Sequence, residues 1–575
     1  MHGNRLNSRV TFRILPGRLR RLDPILTLAL ALALGFSLFG ISWGRVEDWN
    51  RDQMALRELR GFLPFDYQKP PLQTYLNHIL VLAPIDGTAR LFQVLEGRRI
   101  NANEARLLGS RLLVVALFSG TIFLAFLIGR EAFGLSVARI IALTFASSAG
   151  LIEYDHFLSC DSPLLFFMLL TLLLAGRIRS SGHLHSYMLA GFSIGICTAM
   201  KYNGLAVGVT LVAAHVFAND RTHLGRLLFD RRLIAGLATI PLGFLVGNPG
   251  ALLDFWKFAA DFTYNSKVTP HYNGTMTGHG YAEFLAGIAE IIGLPGAILF
   301  LVAAILSFII ILVRARLSSR GAFCFALTAS VFCVYFVLIG SFPRMENRFV
   351  LPAVPFLILM AGPFLRAVVT ARRWPYAILV PILLYNCACC WSVGKRFSKD
   401  PRSKAQAWVE RHARRGLVIE SSAESPRWTK LPGIRGIELL ASIPPPAAGK
   451  DVEVVDWRMP YAYGRLPLFR RIFKDDPWIQ KHVAEYEIEA DERLFTRAEL
   501  LQRNPNLVVA YSSDYHVPSV AVRKYYADLL AGKLPYDIVF DADTPEPPRW
   551  AYPANIDFLR GRITILKRRA ASVGL

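Results

Sequence analysis

The chain has 575 residues, of which 53% are hydrophobic and 19% charged, and its mean hydropathy of +0.35 is atypical of a soluble protein. Its formal net charge is +22, and the basic residues lie largely between long apolar runs. This placement argues against a nucleic-acid-binding groove and is typical of a protein that crosses a membrane several times.

Apolar runs long enough to span a bilayer recur from residue 24 to residue 393, since about 20 helical residues cross about 30 Å of hydrocarbon. The sequence predicts eleven spans, near residues 24–44, 106–129, 136–152, 162–177, 187–201, 204–218, 233–249, 284–313, 322–341, 349–366 and 375–393. Polar residues at 201–204 interrupt the pair 187–218, which could therefore form two short helices that meet at the outer surface.

The basic residues predict the orientation of the chain in the membrane. They cluster in the N-terminal segment and in alternate connections, around residues 177–179, 221–232, 314–320 and 366–373. By the positive-inside rule that side is the cytoplasm, so we expect an inner (cytoplasmic) membrane protein with a cytoplasmic N-terminus. The outer face then receives residues 45–105, 153–161, 250–283, 342–348 and everything after about 394.

The tail differs in composition from the rest of the chain, being charged and rich in Pro and Trp. It contains short strand-like runs at Gly416–Glu420, Asp451–Val455, Leu507–Tyr511 and Ile563–Leu566, with helical stretches such as Pro401–Arg415 between them. We therefore expect a transmembrane domain over residues 1–393 and a soluble extracytoplasmic α/β domain over residues 394–575.

Acidic residues cluster twice on the predicted outer face. They are Glu47 and Asp48 after the first span, and Asp155 and Asp161 with the adjacent His156 before the fourth. A carboxylate at the membrane surface can take a proton from an acceptor hydroxyl or amine. The first cluster could also be a solvated loop, Asp161 could be the N-cap of the next helix, and His156 could be an ordinary interfacial residue.

Basic residues form three clusters on the same face. They are the Tyr67-Gln68-Lys69-Pro70-Pro71 run, Lys201 and Arg348. Two prolines would hold Lys69 in a defined direction, and a lysine suits a phosphate as a point charge. Lys201, inside an apolar stretch, must reach water, a lipid phosphate or a carboxylate. The alternatives are a plain turn before an interfacial helix for Lys69, and snorkelling to lipid head groups for Lys201.

The order of these motifs resembles the GT-C superfamily of glycosyltransferases. Within it, the chain looks most like the protein O-mannosyltransferase-like and lipid A aminoarabinose-transferase-like enzymes. The resemblance covers about residues 25–393, through an acidic first loop followed by "YQKPPLQTYL", "SCDSPLLFFMLL", "AMKYNGLAVG", "NPGALLDFWKF" and "RFVLPAVPFL". It implies a GT-C-like multi-pass helical membrane domain with an appended extracytoplasmic domain.

The resemblance also implies roles for individual residues. An acidic pair in the first loop would serve as, or support, the catalytic base; Glu47 and Asp48 stand there in reversed order, and we take Asp48 as the base. Asp161 would be a further catalytic carboxylate. Residues expected to bind the carrier phosphate or the substrate are Lys69, Lys201, Arg348, Tyr67, Asp155 and His156. Gln68 stands where the family often has His.

These expectations predict an inverting glycosyltransferase that moves a sugar from a polyprenyl-phosphate carrier to a glycan, lipid or protein acceptor on the outer face. Membrane lipids are the other expected partners, and nucleic acid is not one. No cofactor is assigned; a divalent metal is left open, and His271 and His279 could be its ligands or ordinary loop residues. The alternatives are a transporter or flippase of a lipid-linked substrate, and a membrane-anchored glycan-binding protein whose tail tryptophans stack on sugars.

Overall fold

The structure is a computed structural model that describes residues 23–43, 59, 61–64, 67, 69–96, 102–218, 229–268, 280–314, 319–342, 345–371, 375–421, 434–438, 492–512, 520–544 and 561–569. Within these ranges the chain is helical up to residue 412 and carries a small sheet after it. The predicted strand Asp451–Val455 lies outside them.

The described part of the first half begins with a capped helix. Asp23 accepts the backbone N–H groups of Ile25 (3.0 Å) and Leu26 (3.2 Å), and Pro24 opens the helix. The helices are α1 (Pro24–Leu38), α2 (Leu72–Asn77), α3 (Ala83–Glu96), α4 (Asn103–Phe133), α5 (Leu135–Ala146), α6 (Ala149–Asp155), α7 (Asp161–Ser181), α8 (Leu184–Met200) and α9 (Val209–Ala218). A π-helical turn (His78–Leu82) joins α2 to α3, and a 3-10 turn (Tyr202–Gly208) precedes α9.

The second half continues with helices and ends with the sheet region. The helices are α10 (Arg231–Gly247), α11 (Gly250–Leu253), α12 (Phe255–Val268), α13 (Gly280–Ile292), α14 (Leu294–Arg314), α15 (Arg320–Gly340), α16 (Asn347–Val350), α17 (Val354–Met360), α18 (Gly362–Ala371), α19 (Pro375–Ser398), α20 (Pro401–His412), α21 (Arg497–Arg503) and α22 (Val520–Leu530). Short 3-10 turns lie at Leu351–Ala353 and Glu492–Leu494.

Six helical segments of the described chain are long and apolar enough to cross a membrane, and the bent pair α5 and α6 (57°) makes a seventh if it is one span. They are α4, α7, most of α14, α15, and the runs Asn347–Thr370 and Ala377–His412. The predicted count of eleven is therefore not confirmed. Three of the predicted spans are shorter apolar helices in the structure, namely α1, α8 and the run Tyr202–Ala218.

The predicted single span over 284–313 is wrong, because two helices occupy this region. α13 ends at Ile292, and Gly293 has a φ of +76°, a left-handed conformation that glycine adopts without the steric cost of a side chain. Pro295 then stands near the start of α14. Hydropathy alone misses this break because the apolar residues continue through it.

Helices α8 and α10 approach each other closely along a line of glycines. A Cβ atom added at Gly191 would overlap the carbonyl of Gly236, and one added at Gly195 would overlap the backbone of Ile240 and Phe244. Small residues permit this backbone contact between helices in lipid, where van der Waals packing replaces the hydrophobic effect as the driving force. The contact fixes the end of α8, where the candidate site begins.

The sheet region forms an α/β unit in the described part of the tail. Its strands are β1 (Val418–Ser421), β2 (Arg435–Glu438), β3 (Leu507–Tyr511), β4 (Tyr536–Asp543) and β5 (Arg562–Arg568), in the order β2-β1-β3-β5-β4. β1 pairs in parallel with β2 and β3, whereas β5 is antiparallel to β3 and β4. α20 packs on one face and α21 and α22 on the other.

Several predictions for the tail can be compared with this sheet. The run Leu507–Tyr511 is a strand with the predicted bounds, and the two other described runs overlap β1 and β5. Strands β2 and β4 were not predicted. The helix α19 continues through residue 394, where the domain boundary was predicted. Trp408 packs beside Phe540, with ring centroids 6.0 Å apart, and so contributes to the core between α20 and the sheet.

We expect Gly195→Ala to lower the stability of the membrane region by about 1–3 kcal/mol, because the added methyl group would force α8 and α10 apart. Gly35→Ala is the matched control, since a Cβ atom there meets nothing within 4 Å. Thermal unfolding of both purified variants in detergent measures the difference. Equal unfolding temperatures would contradict the close packing of α8 on α10.

Candidate active site at the break after α8

Asp161 forms one end of the candidate site. It is the first residue of α7, and Cys160 rather than Asp161 is the N-cap, so the alternative prediction of an Asp161 cap is wrong. Ser159 Oγ accepts the N–H of Asp161 at 3.1 Å and donates to its Oδ2 at 2.6 Å. The side chain of Asp161 is only 4% exposed, at a helix N-terminus that favours negative charge.

Lys201 interrupts the helical path between α8 and the 3-10 turn. Its backbone is extended (φ −157°, ψ 134°), and its Nζ forms an ion pair with Asp161 Oδ1. Two further contacts shape the break: the N–H of Gly204 donates to the carbonyl of Lys201 at 2.7 Å, and Tyr335 Oη donates to that of Asn203 at 2.8 Å. The helix therefore ends at the residue whose cation meets the buried carboxylate.

Arg348 and Lys201 lie around one aromatic ring. The centroid of the Phe349 ring is 5.8 Å from Lys201 Nζ and 5.4 Å from Arg348 Cζ. Both distances fall in the range of cation–π contacts. Arg348 is also ion-paired with Glu346. The structure thus brings the predicted residues Asp161, Lys201 and Arg348 into one neighbourhood.

The short helix α16 that carries Arg348 is anchored to α13. Asn347 Nδ2 donates to Glu290 Oε2 at 2.5 Å, and Gly287 on the same face of α13 leaves room for Val350. A carboxylate within an apolar helix is costly unless it has a polar partner, so this contact accounts for Glu290 and fixes where α16 begins.

Tyr67 is fully buried, and its backbone is held from two sides. Its N–H donates to Asp261 Oδ2 at 2.9 Å, and its carbonyl accepts a hydrogen bond from Tyr202 Oη at 2.6 Å. Its phenol donates to Asp254 Oδ2 at 3.5 Å. Burial, followed by the Asp254 carboxylate, raises the pKa of Tyr67 above its ordinary value, so the phenol stays protonated and remains a donor.

Lys69 follows two residues after Tyr67 and is half-buried. Pro70 and Pro71 follow it, and α2 begins at the next residue, Leu72. The hydrogen bond between Tyr202 and Tyr67 links this segment to the 3-10 turn that starts next to Lys201.

Asp155 makes internal contacts of its own. Its side chain is fully buried and accepts hydrogen bonds from Ser37 Oγ (2.8 Å) and Ser162 Oγ (2.6 Å). These bonds tie the end of α6 to α1 and to the first turn of α7.

His156 is also fully buried. Its ring nitrogens lie 2.9 Å from the carbonyl oxygen of Ile152 and 3.0 Å from that of Phe39, and its ring stacks on Phe397 at 4.2 Å. In this structure the ring joins α6 to the end of α1 and to α19.

The predicted base, Asp48, and its neighbour Glu47 lie outside the described residues, so their roles remain predictions. The chain is fixed just before them at Trp43, which is buried. Trp43 Nε1 donates to the carbonyl of His156 at 2.9 Å, and Arg111 donates to the carbonyl of Trp43 at 2.5 Å. Trp43, the last described residue before the first loop, therefore lies beside the segment that leads to Asp161.

Within the described ranges, no three His, Cys, Asp or Glu side chains are grouped to hold a metal ion. Asp541, in the tail sequence Asp541-Ala542-Asp543, accepts hydrogen bonds from Arg562 (2.7 Å) and Thr564 (3.0 Å) instead. His271 and His279 lie outside the described residues.

Several residues of this neighbourhood were not predicted to be functional. They are Ser159, Tyr202, Asp254, Asp261, Glu290, Glu346 and Phe349. Glu290 could have been found as an acidic residue inside an apolar run, and Tyr202 and Phe349 adjoin predicted cations. Nothing in the local sequence indicates that Asp254 or Asp261 meets Tyr67, because those contacts span 187 and 194 residues.

The family model for dolichyl-phosphate-mannose-protein mannosyltransferase matches residues 46–264. The matched range holds Lys69, Asp161 and Lys201 and ends before Arg348. The resemblance predicted from the motifs is confirmed over this range. No curated protein matches the chain.

Solved structures with a similar course of the chain include two of ArnT from Cupriavidus metallidurans. The one bound to undecaprenyl phosphate is 12% identical, with 96% of this chain and 99% of that chain covered and a TM-score of 0.45. The apo form is 14% identical, with 94% and 97% covered and a TM-score of 0.44. The oligosaccharyltransferase from Archaeoglobus fulgidus with Zn and sulfate is 13% identical, with 88% and 69% covered and a TM-score of 0.41.

We expect Lys201→Met to destabilise the protein by about 3 kcal/mol, because it leaves the buried Asp161 carboxylate without its ion-pair partner. The double variant Asp161→Asn with Lys201→Met should regain part of this loss, since an amide tolerates burial better than a charge. Thermal unfolding in detergent measures both, with the exposed Lys404→Met as control. A Lys201→Met protein as stable as the Lys404→Met protein would show that the pair does not stabilise the fold.

Proposed function

We propose that this chain is an inverting glycosyltransferase that transfers a sugar from a polyprenyl-phosphate carrier to an acceptor on the outer face of the cytoplasmic membrane. The observation that carries the proposal is the convergence of Asp161, Lys201 and Arg348 at a helix break, in a chain whose residues 46–264 match a family named for a lipid-phosphate-sugar donor. We place residues 394–575 on that outer face as well.

The two cations suit a departing phosphate. When the bond between the anomeric carbon and the phosphate oxygen breaks, the electron pair stays on that oxygen and its negative charge grows. Lys201 and Arg348, which lie 5.8 Å and 5.4 Å from the Phe349 ring centroid, offer N–H donors that can stabilise this charge. The lipid tail of the carrier would stay in the membrane while its phosphate reaches the break after α8.

Asp161 has a positioning role in this scheme. It holds the Lys201 ammonium on the buried side and is itself held by Ser159, so Lys201 presents its remaining N–H donors in a defined direction. Asp161 Oδ1 contacts Lys201 and its Oδ2 accepts a hydrogen bond from Ser159, so both carboxylate oxygens already have partners. We therefore assign the proton transfer to Asp48, which would take the proton from the acceptor hydroxyl or amine as that atom attacks the anomeric carbon.

Lys69 is the third cation proposed for the carrier phosphate, on the strength of its fixed segment and its link through Tyr67 to the 3-10 turn. We give Asp155 and His156 a structural role in this scheme. Their internal contacts join α1, α6 and α7 around the site rather than offering free polar groups to a substrate.

We expect Asp48→Asn to reduce transfer by about 100-fold or more, because the acceptor loses its general base. Mass spectrometry of envelope lipids, polysaccharides and glycoproteins from cells with and without the protein first identifies the sugar and acceptor. Transfer is then measured with purified protein and the matching polyprenyl-phosphate sugar.

The control for this experiment is Lys404→Met, which replaces an exposed lysine of α20 that the proposed chemistry does not use. It should transfer at the wild-type rate, and the Asp48→Asn protein should unfold at the wild-type temperature. Transfer by Asp48→Asn at the wild-type rate would show that Asp48 is not the base. An unchanged envelope composition in cells without the protein would contradict the proposal that the protein is a glycosyltransferase.

A further inference from the structure

We propose that Tyr202 is a positioning residue that sets the geometry of Lys69 relative to Lys201, and thereby the affinity for the carrier phosphate. This inference rests on the proposed function. Tyr202 and Asp261 both form hydrogen bonds with the backbone of Tyr67, which lies two residues before Lys69. We call these two contacts the clamp.

The hydroxyl group and the ring of Tyr202 make separate contacts. Tyr202 Oη donates to the carbonyl of Tyr67 at 2.6 Å. The ring packs edge-on against Phe262, with centroids 4.9 Å apart, and lies 6.5 Å from Phe258. Removal of the oxygen alone would therefore leave the ring in place and release one side of the clamp.

Asp261 supplies the other side of the clamp. Its Oδ2 accepts the N–H of Tyr67 and the Lys257 ammonium, both at 2.9 Å. The phenol of Tyr67 occupies the space where Gly250 would carry a side chain, so the residue is also locked by packing. Both peptide groups of Tyr67 are thus fixed by side chains from α12 and from the 3-10 turn.

This clamp limits how far the two lysines can move relative to each other. Lys201 adjoins Tyr202, with consecutive Cα atoms 3.8 Å apart as in any trans peptide, and Lys69 lies at most about 7 Å of chain beyond Tyr67. Pro70 and Pro71 then restrict the backbone on the far side of Lys69. A phosphate that contacts both ammonium groups binds more tightly when their spacing is fixed, because the two lysine segments are already ordered before the lipid binds.

The test is Tyr202→Phe, with the dissociation constant of a sugar-free polyprenyl phosphate measured on purified protein in nanodiscs. We expect the dissociation constant to rise about three- to tenfold, the range for the loss of one hydrogen bond. In a Lys69→Met background the same substitution should have almost no further effect, since Tyr202 acts through Lys69. Where transfer is measured, KM for the donor should rise with kcat nearly unchanged.

The matched control is Tyr536→Phe, which removes a hydroxyl bonded to the carbonyl of Pro505 at 2.8 Å in the sheet region. Its phosphate affinity should equal that of the wild type. Asp261→Ala should weaken binding in the same direction as Tyr202→Phe.

The proposal is overturned if Tyr202→Phe binds as tightly as the wild type, or if its effect is undiminished in the Lys69→Met background. A general loss of packing would instead lower the unfolding temperature and reduce kcat, which also overturns it. The proposed function fails separately, when the wild type binds polyprenyl phosphate but transfers no sugar. A wild type that binds no polyprenyl phosphate would overturn both.

Discussion

A cation placed within an apolar stretch of a membrane protein must find a partner, and the ion pair of Lys201 with Asp161 meets this requirement. Both side chains are largely shielded from solvent, where the attraction between opposite charges is stronger than in water. The chain leaves the helical path at Lys201, and the contact of Tyr335 with the following turn stabilises the break. The polar site at this helix break thus follows from the cost of an unpaired charge.

The ion pairs of Lys201 and Arg348 also determine the local charge that an anion would encounter in the site. In the described part of the site, Asp161 balances Lys201 and Glu346 balances Arg348, so these four charges sum to zero. Attraction by the net charge of these two ion pairs is therefore small, and the proposed phosphate would gain from them mainly through N–H donors that are already oriented. Such an arrangement favours an anion whose oxygen atoms match the donor directions, and it gives little advantage to other anions. Fixed positions of the cations consequently matter more than their number.

The sequence predicted the parts of this site that depend on local chemistry. An interruption at Lys201 was visible because a polar run divides two apolar ones, and the helix start near Asp161 was visible from the proline that follows. The single span predicted over 284–313 was wrong because apolar composition does not show where a helix ends: α13 stops before Gly293, inside a continuous apolar run. Strand β4 was missed because its side chains are largely exposed, so it lacks the buried apolar pattern that marked Leu507–Tyr511.

Contacts between distant segments were beyond the reach of sequence patterns. Tyr202 and Tyr67 are separated by 135 residues, and either tyrosine would serve equally well as an interfacial aromatic residue. Only the folded chain shows that one supplies a hydroxyl to the backbone of the other. A backbone carbonyl can accept a hydrogen bond whatever side chain its residue carries, so the sequence around Tyr67 does not indicate this contact. The residues that position a catalytic group can therefore be harder to recognise than the group itself, even when they adjoin a predicted lysine.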